Sequence, residues 1–145
     1  LPEVLDALEV MSLLKGCSKE QAHRLASLCT VKEVKAGEAL FEEGQDASEM
    51  YVVLDGEISV HMPHKEEPVA SVASGECLGE ISFLTRKVHS ATARAERDSK
   101  LVVLTNQELD QLVRQRPDIG LLLYRNLAHG LGEKLHRQDL VVSDK

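Results

Sequence analysis

Between residues 31 and 105 apolar and polar side chains alternate in short runs, at 31–34, 39–41, 50–54, 58–62, 69–72, 91–95 and 101–104, parted by Gly, Pro, Asp and Ser. A period of two puts successive side chains on opposite faces of an extended chain, so the stretch reads as closely spaced strands. Strands so short and so near one another form an antiparallel β-roll or jelly roll, since a parallel sheet would need long crossover connections. Asp55-Gly56, between the two longest runs, predicts a tight hairpin. Gly37, Gly44 and Gly75 fall at further turns, where a positive φ excludes most residues.

Helical periods flank this core. Val4, Leu5, Leu8, Met11, Leu13 and Leu14 predict a helix over 4–14. Ser18 with Gln21 three residues on reads as a capping box for a second helix ending near Cys29. After the strands, Thr105 with Glu108 at its third position starts another helix, and Pro117 breaks it and opens the last. That final helix, over about 118–137, repeats Ile119, Leu123, Leu127, Leu131 and Leu135 every fourth position. The expected fold is therefore mainly β with flanking helices, in one domain over 1–145. A helical pair at 3–29 precedes a β-roll at 31–105 and C-terminal helices at 106–138. With 43% hydrophobic residues in 145, one core of that size can be filled.

Composition removes several classes of function. Seventeen basic residues against 24 acidic ones give a net charge of −7, so the electrostatic footprint of a nucleic-acid binder is missing and this domain alone is not expected to bind DNA. Cys17, Cys29 and Cys77 form no CxxC pair and no secretory leader opens the chain, which reads as a cytoplasmic protein. No apolar run exceeds five residues, against the roughly 20 that span a bilayer, so no membrane segment is expected here. Opening on Leu1-Pro2 rather than Met, the chain is expected to be a piece of a longer polypeptide. No nucleophile-base set or P-loop is present, so no catalysis is expected.

The stretch 79–95, Gly-Glu-Ile-Ser-Phe-Leu-Thr-Arg-Lys-Val-His-Ser-Ala-Thr-Ala-Arg-Ala, sets a short glycine-led helical turn before an alternating strand. Amides in the first turn of a helix lack intrahelical partners and carry the positive end of the peptide dipoles, which makes an anion cradle. Gly79 permits close approach of a ligand, and Glu80 offers acceptor oxygens of the kind that hold a ribose hydroxyl. The stretch resembles the phosphate-binding cassette of cyclic nucleotide-binding domains. Gly37-Glu38, Leu40-Phe41, Glu43-Gly44, the run 50–58 and Gly75 extend the likeness over 31–105. The resemblance implies a cAMP or cGMP ligand and no other cofactor. It implies a site of Gly79, Glu80, Ile81, Ser82, His89, Ser90 and Ala91, in which amides near Ser82 and Ser90 serve the phosphate. Val72 and Leu78 read equally as pocket wall or as core. Glu80 also has a plainer reading, as an acid complementing a helix N-terminus.

One position departs from the family pattern: His89 stands where the cassette carries a phosphate-pairing arginine. Neutral imidazole brings one donor and no charge. Losing one partner of a buried charge pair costs about 2–5 kcal/mol, or roughly 30- to 3,000-fold in affinity. Arg86 is a candidate to supply the missing contact, though a loop cation is also simply solvated. Alternation places Arg94 on the solvent face and Ala91, Ala93 and Ala95 together on the other. If His89 meets the phosphate, affinity should rise as pH falls through its titration range.

Two functions follow from the resemblance: a cyclic nucleotide sensor that repositions its C-terminal helices, or a degenerate sensor fold acting as a dimerisation or docking module. The leucine stripe of 118–137 reads as a homodimer seam, as a ligand lid, or as packing on the chain's own β-roll. A cupin-like metal site at His61 and His64 fails on spacing, because strand positions three apart face opposite ways.

Overall fold

The computed structural model describes residues 2–142, and side-chain surroundings as far as His136. Helix α1 (Pro2–Val10) and helix α2 (Lys19–Leu28) form the opening pair. The first helix stops four residues before the expected end at Leu14, because the chain turns through Ser12 at φ +59°. The carbonyls of Leu13 and Lys15 then accept hydrogen bonds from the Asn126 side-chain amide, at 2.8 and 3.0 Å, in place of continuing the helix. The capping box forms as its residues dictate: Ser18 Oγ accepts from the Gln21 amide and Gln21 Oε1 accepts from the Ser18 amide.

The strands come in consecutive pairs: β1 (Thr30–Val34) and β2 (Ala39–Phe41), β3 (Glu49–Asp55) and β4 (Glu57–His61), β5 (Ala70–Ala73) and β6 (Cys77–Leu78), β7 (Thr92–Ala95) and β8 (Ser99–Thr105). Members of a pair lie in different sheets, ordered β1-β8-β3-β6 and β2-β7-β4-β5. All pairings are antiparallel, and the register runs on across each break. β3 pairs with β8 from Glu49↔Thr105 to Asp55↔Lys100, and β4 continues on β7 from Ile58↔Ala95 to His61↔Thr92. Each pair is thus one long strand that bends over a corner, and the bent strands close the β-roll.

The hairpin expected at Asp55-Gly56 is therefore corrected. β3 and β4 do not pair with each other; the chain keeps its direction and crosses from one sheet to the other. Gly56 sits at φ +126°, and a Cβ there would collide with Ser99, so only glycine lets the two bent strands pass at this corner. Gly37 and Gly75 mark equivalent corners, with amides bonded to Ala95 O and Val53 O across the fold. Strand β6, two residues long, is too short to leave a periodic signal.

A short helix α3 (Glu80–Thr85) bridges β6 and β7, and α4 (Asn106–Gln115) and α5 (Pro117–Val142) follow β8. Thr105 caps α4 by accepting from the Glu108 amide at 3.1 Å. One core fills the roll, with Tyr51, Val53, Ile58, Leu78, Ala93, Ala95 and Leu101. The other lies between the helices and the outer face of β3 and β8, joining Leu8, Leu25, Met50, Val52, Phe83, Val102 and Leu109 to Ile119, Leu123 and Leu127 of α5. The first half of the leucine stripe thus packs on the protein's own body, each fully buried side chain contributing about 1.5–3 kcal/mol. Leu131 is half-buried and Leu135 exposed, so α5 leaves the body gradually. No helix among the described residues is long and apolar enough to cross a membrane.

Candidate functional site

The cassette begins where β6 ends. Gly79 takes φ +79° as N-cap of α3, a conformation that favours glycine, and it sits over Glu49 and Tyr51 of β3. The first amide of α3 to find a carbonyl is that of Phe83, on Gly79 O at 3.0 Å. Those of Glu80, Ile81 and Ser82 stand at the positive end of the turn. Phe83, fully buried, anchors the helix, whereas Ile81 is exposed and Ser82 half-buried.

Glu80 is 6% exposed. Lys134 Nζ of α5 donates to its Oε1 at 3.1 Å, while Oε2 is buried without a hydrogen-bond partner among the described residues. A buried carboxylate oxygen left unpaired costs free energy unless a donor reaches it. Beside it, burial and then the Glu80 charge push the Cys77 thiol well above its ordinary range. Glu80, Cys77, Asn126, Leu127, Gly130 and Lys134 help to line a cavity of about 190 Å³ between the Met11–Leu13 turn, the Gly75 corner and α5. A Cβ on Gly130 would meet nothing within 4 Å, so the helix wall is open at that point.

His89 lies elsewhere. Its ring, 4% exposed, stacks on Phe41 with centroids 3.7 Å apart and planes 9° from parallel. Its backbone is pinned to the preceding turn: the His89 amide donates to Gln45 O, and its carbonyl accepts from the Gly44 amide, both at 2.9 Å. Burial lowers the imidazole pKa below 6.5, partly offset by the Glu49 carboxylate, so the ring is neutral at pH 7. Around it a groove of about 510 Å³ is lined by Phe41, Asp46, Ser48, Glu49 and Tyr51 among others. Tyr51 donates to Glu49 Oε1 at 2.6 Å, and burial raises the phenol pKa. Glu80 and His89, neighbours in the expected site, line different cavities.

The remaining sequence-derived residues divide. Arg86, at φ +60°, turns its guanidinium away to Asp110 of α4, bonding both carboxylate oxygens at 3.1 and 2.7 Å. That pairing lifts the Arg86 pKa and lowers that of Asp110. Its fork is occupied, and this geometry gives no support to a compensating phosphate contact. Arg94 is exposed and donates to Gly37 O at 2.9 Å, while Ala91, Ala93 and Ala95 are buried, as alternation requires. Ser90 is exposed beside buried Ala91. Leu78 is buried in the inner core and Val72 packs half-buried against it. His61 has Ser59 Oγ 2.8 Å from its Nε2, and the described residues hold no grouping of three His, Cys, Asp or Glu suited to a metal. Lys134, Glu49 and Phe41 did not emerge from the sequence as site residues. Lys134 was within reach of it: at seven residues after Leu127 it shares that residue's helix face.

Residues 31–116 match the model of the cyclic nucleotide-binding domain. The chain is 28% identical over 131 residues to the cyclic AMP receptor protein of Thermus thermophilus, covering 88% of this chain and 59% of that protein. It is 28% identical over 106 residues to a cAMP-dependent protein kinase regulatory subunit of Emericella nidulans, covering 73% of this chain and 26% of the subunit. A crystal structure of a cyclic nucleotide-binding domain from Methylobacillus flagellatus superposes with a TM-score of 0.85 at 24% identity, covering 99% of this chain and 83% of that one. The chain spans between 6% and 59% of the length of the first three curated relatives it matches.

Proposed function

The chain belongs to the cyclic nucleotide-binding domain family, and from that premise we propose that it is a non-catalytic regulatory domain that binds cAMP or cGMP and signals through α5. The observation that carries this reading is Glu80. One of its carboxylate oxygens is buried at a glycine-led helical turn, beside the Cys77 thiol and with no geometric hydrogen bond among the described residues, and the other holds Lys134 on α5. In this reading that buried oxygen takes a ribose hydroxyl, and the amides of Glu80, Ile81 and Ser82, with those near Ser90 and Ala91, face the phosphate. A ligand shifts α5 only if it binds its two positions with different affinity. The Lys134 contact supplies that difference, since a hydroxyl donor on Glu80 changes how strongly the carboxylate holds the ammonium group.

Occupancy also needs α3 and α5 to open the 190 Å³ space between them. Outward from the body, Leu121, Tyr124, Ala128 and Leu135 recur at steps of three, four and seven, a spacing by which a second copy would pair along α5. The unpaired thiols of Cys17, Cys29 and Cys77 suit a reducing cytoplasm.

A second reading is favoured by His89. Neutral, stacked on Phe41 and faced by Asp46 and Glu49, it gives a phosphate no cation, which suits a degenerate fold serving as a protein-interaction module. NMR titration with cAMP and cGMP separates the two. Shifts centred on Gly79, Glu80 and Ser82 support the sensor; none at millimolar ligand, in the wild type or in His89→Arg, leaves the interaction module.

A further inference from the structure

The groove around His89 has the wrong polarity for an anion and a coherent one for a cation. Asp46 and Glu49 line it, Glu42 and Glu43 adjoin it on the same exposed loop, and no lysine or arginine is among its lining residues. Glu49 has one carboxylate oxygen on the Tyr51 hydroxyl, and its other oxygen makes no hydrogen bond among the described residues. The His89 ring is more than nine-tenths buried, lines the groove, and its nitrogens make no hydrogen bond among the described residues. Phe41 stacks behind it and Tyr51 lies 6.0 Å from Phe41, so an aromatic wall stands beside the acceptors. A metal is disfavoured, because the described residues bring no three ligands together.

We propose that this groove is a site for a guanidinium or primary ammonium group, held by Glu49 and Asp46 and stacked against the Phe41–His89 pair. A guanidinium carries five N–H donors and no acceptor, complementing a set of unsatisfied acceptors, and it stacks on aromatic faces. The net charge of −7 draws such a group in from solution. The groove shares His89 with the nucleotide cassette but not Glu80, which lines another cavity. The cation comes either from a small free amine or from an arginine on a partner polypeptide.

The test is a ¹⁵N-HSQC titration of the 145-residue chain with agmatine and, separately, with a short uncharged-end peptide holding one arginine, each against sodium chloride at matched ionic strength. Saturable shifts at Gly44, Gln45, Glu49 and His89 are expected, weakened about tenfold or more in Glu49→Gln, which keeps an acceptor for Tyr51. Equal response to both probes indicates a free amine, and preference for the peptide a partner's side chain; both uphold the site. Shifts no larger than those from sodium chloride, or equal binding by Glu49→Gln and wild type, overturn it. Failure here would leave nucleotide shifts at Gly79 to Ser82 untouched.

Discussion

Lys134 Nζ stands 3.1 Å from Glu80 Oε1, tying the outer part of α5 to the first residue of α3. Over 128–136 the helix is exposed except for half-buried Leu131, so among the described residues this ion pair is the polar link between that stretch and the body. Removing the ammonium group leaves a buried carboxylate without its counter-charge. The Lys134 side chain is 45% exposed, which cuts the effect well below that of a fully buried pair. Lys134→Met is expected to cost about 1–2 kcal/mol in urea unfolding and to raise amide exchange over residues 128–136. An unchanged midpoint and unchanged exchange would remove Glu80 as the anchor of α5.

The corners of the roll make a sharper stability comparison. Gly37 at φ +87° faces open space, so Gly37→Ala adds backbone strain of about 1–2 kcal/mol. Gly56 has a positive φ too, and its added methyl would overlap Ser99 side chain and backbone together. Gly56→Ala is expected to cost about 3 kcal/mol or more, measured by the same unfolding curves. Equal losses at the two sites would mean that the β3–β4 passage is looser than described.

These corners also show how far the sequence could be read. Gly37, Gly56 and Gly75 announced breaks in the strands, and period two announced the strands themselves. What each break does depends on which strand lies across it: an Asp-Gly step sets a local turn, but Ser99, 43 residues away in the chain, makes Gly56 a crossing between sheets. Ser18, Gln21, Thr105 and Glu108 were legible because caps are local chemistry. The site was legible only in part. Gly79 and Glu80 announced the turn, but Lys134, 54 residues on, and the Phe41 ring over His89 are tertiary facts. The pairing of Arg86 with Asp110, 24 residues on, is another tertiary fact that no local pattern announces.

His89 gives a pH prediction. Its folded pKa lies below the ordinary 6.5, so the unfolded chain binds the proton more readily. Stability from keeping the ring neutral is therefore complete above about pH 6.5 and is lost as pH falls through the folded value. His89→Gln should flatten that part of the Tm profile between pH 7 and 5. The same depression moves any gain in nucleotide affinity from a protonated His89 to below pH 6.5. A wild-type profile parallel to that of His89→Gln would show that the ring is free to charge in the folded state.

Arg86 gives a negative prediction. Because Asp110 turns both terminal nitrogens of Arg86 towards α4, Arg86→Ala should leave cAMP and cGMP affinity unchanged. Glu80→Ala, which removes the acceptor oxygens and the Lys134 contact, should abolish detectable binding. Calorimetry on both variants checks this, and a loss in Arg86→Ala would restore it as a phosphate contact.

The most direct measurement follows α5 while nucleotide is added. In ¹⁵N-labelled wild type and His89→Arg, cAMP and cGMP should shift Gly79, Glu80 and Ser82 together with residues 128–136, in one titration curve. His89→Arg should bind roughly 30- to 3,000-fold more tightly. Shifts at the cassette with a silent α5 would contradict signalling through Lys134, and no shift in either protein would contradict nucleotide binding itself.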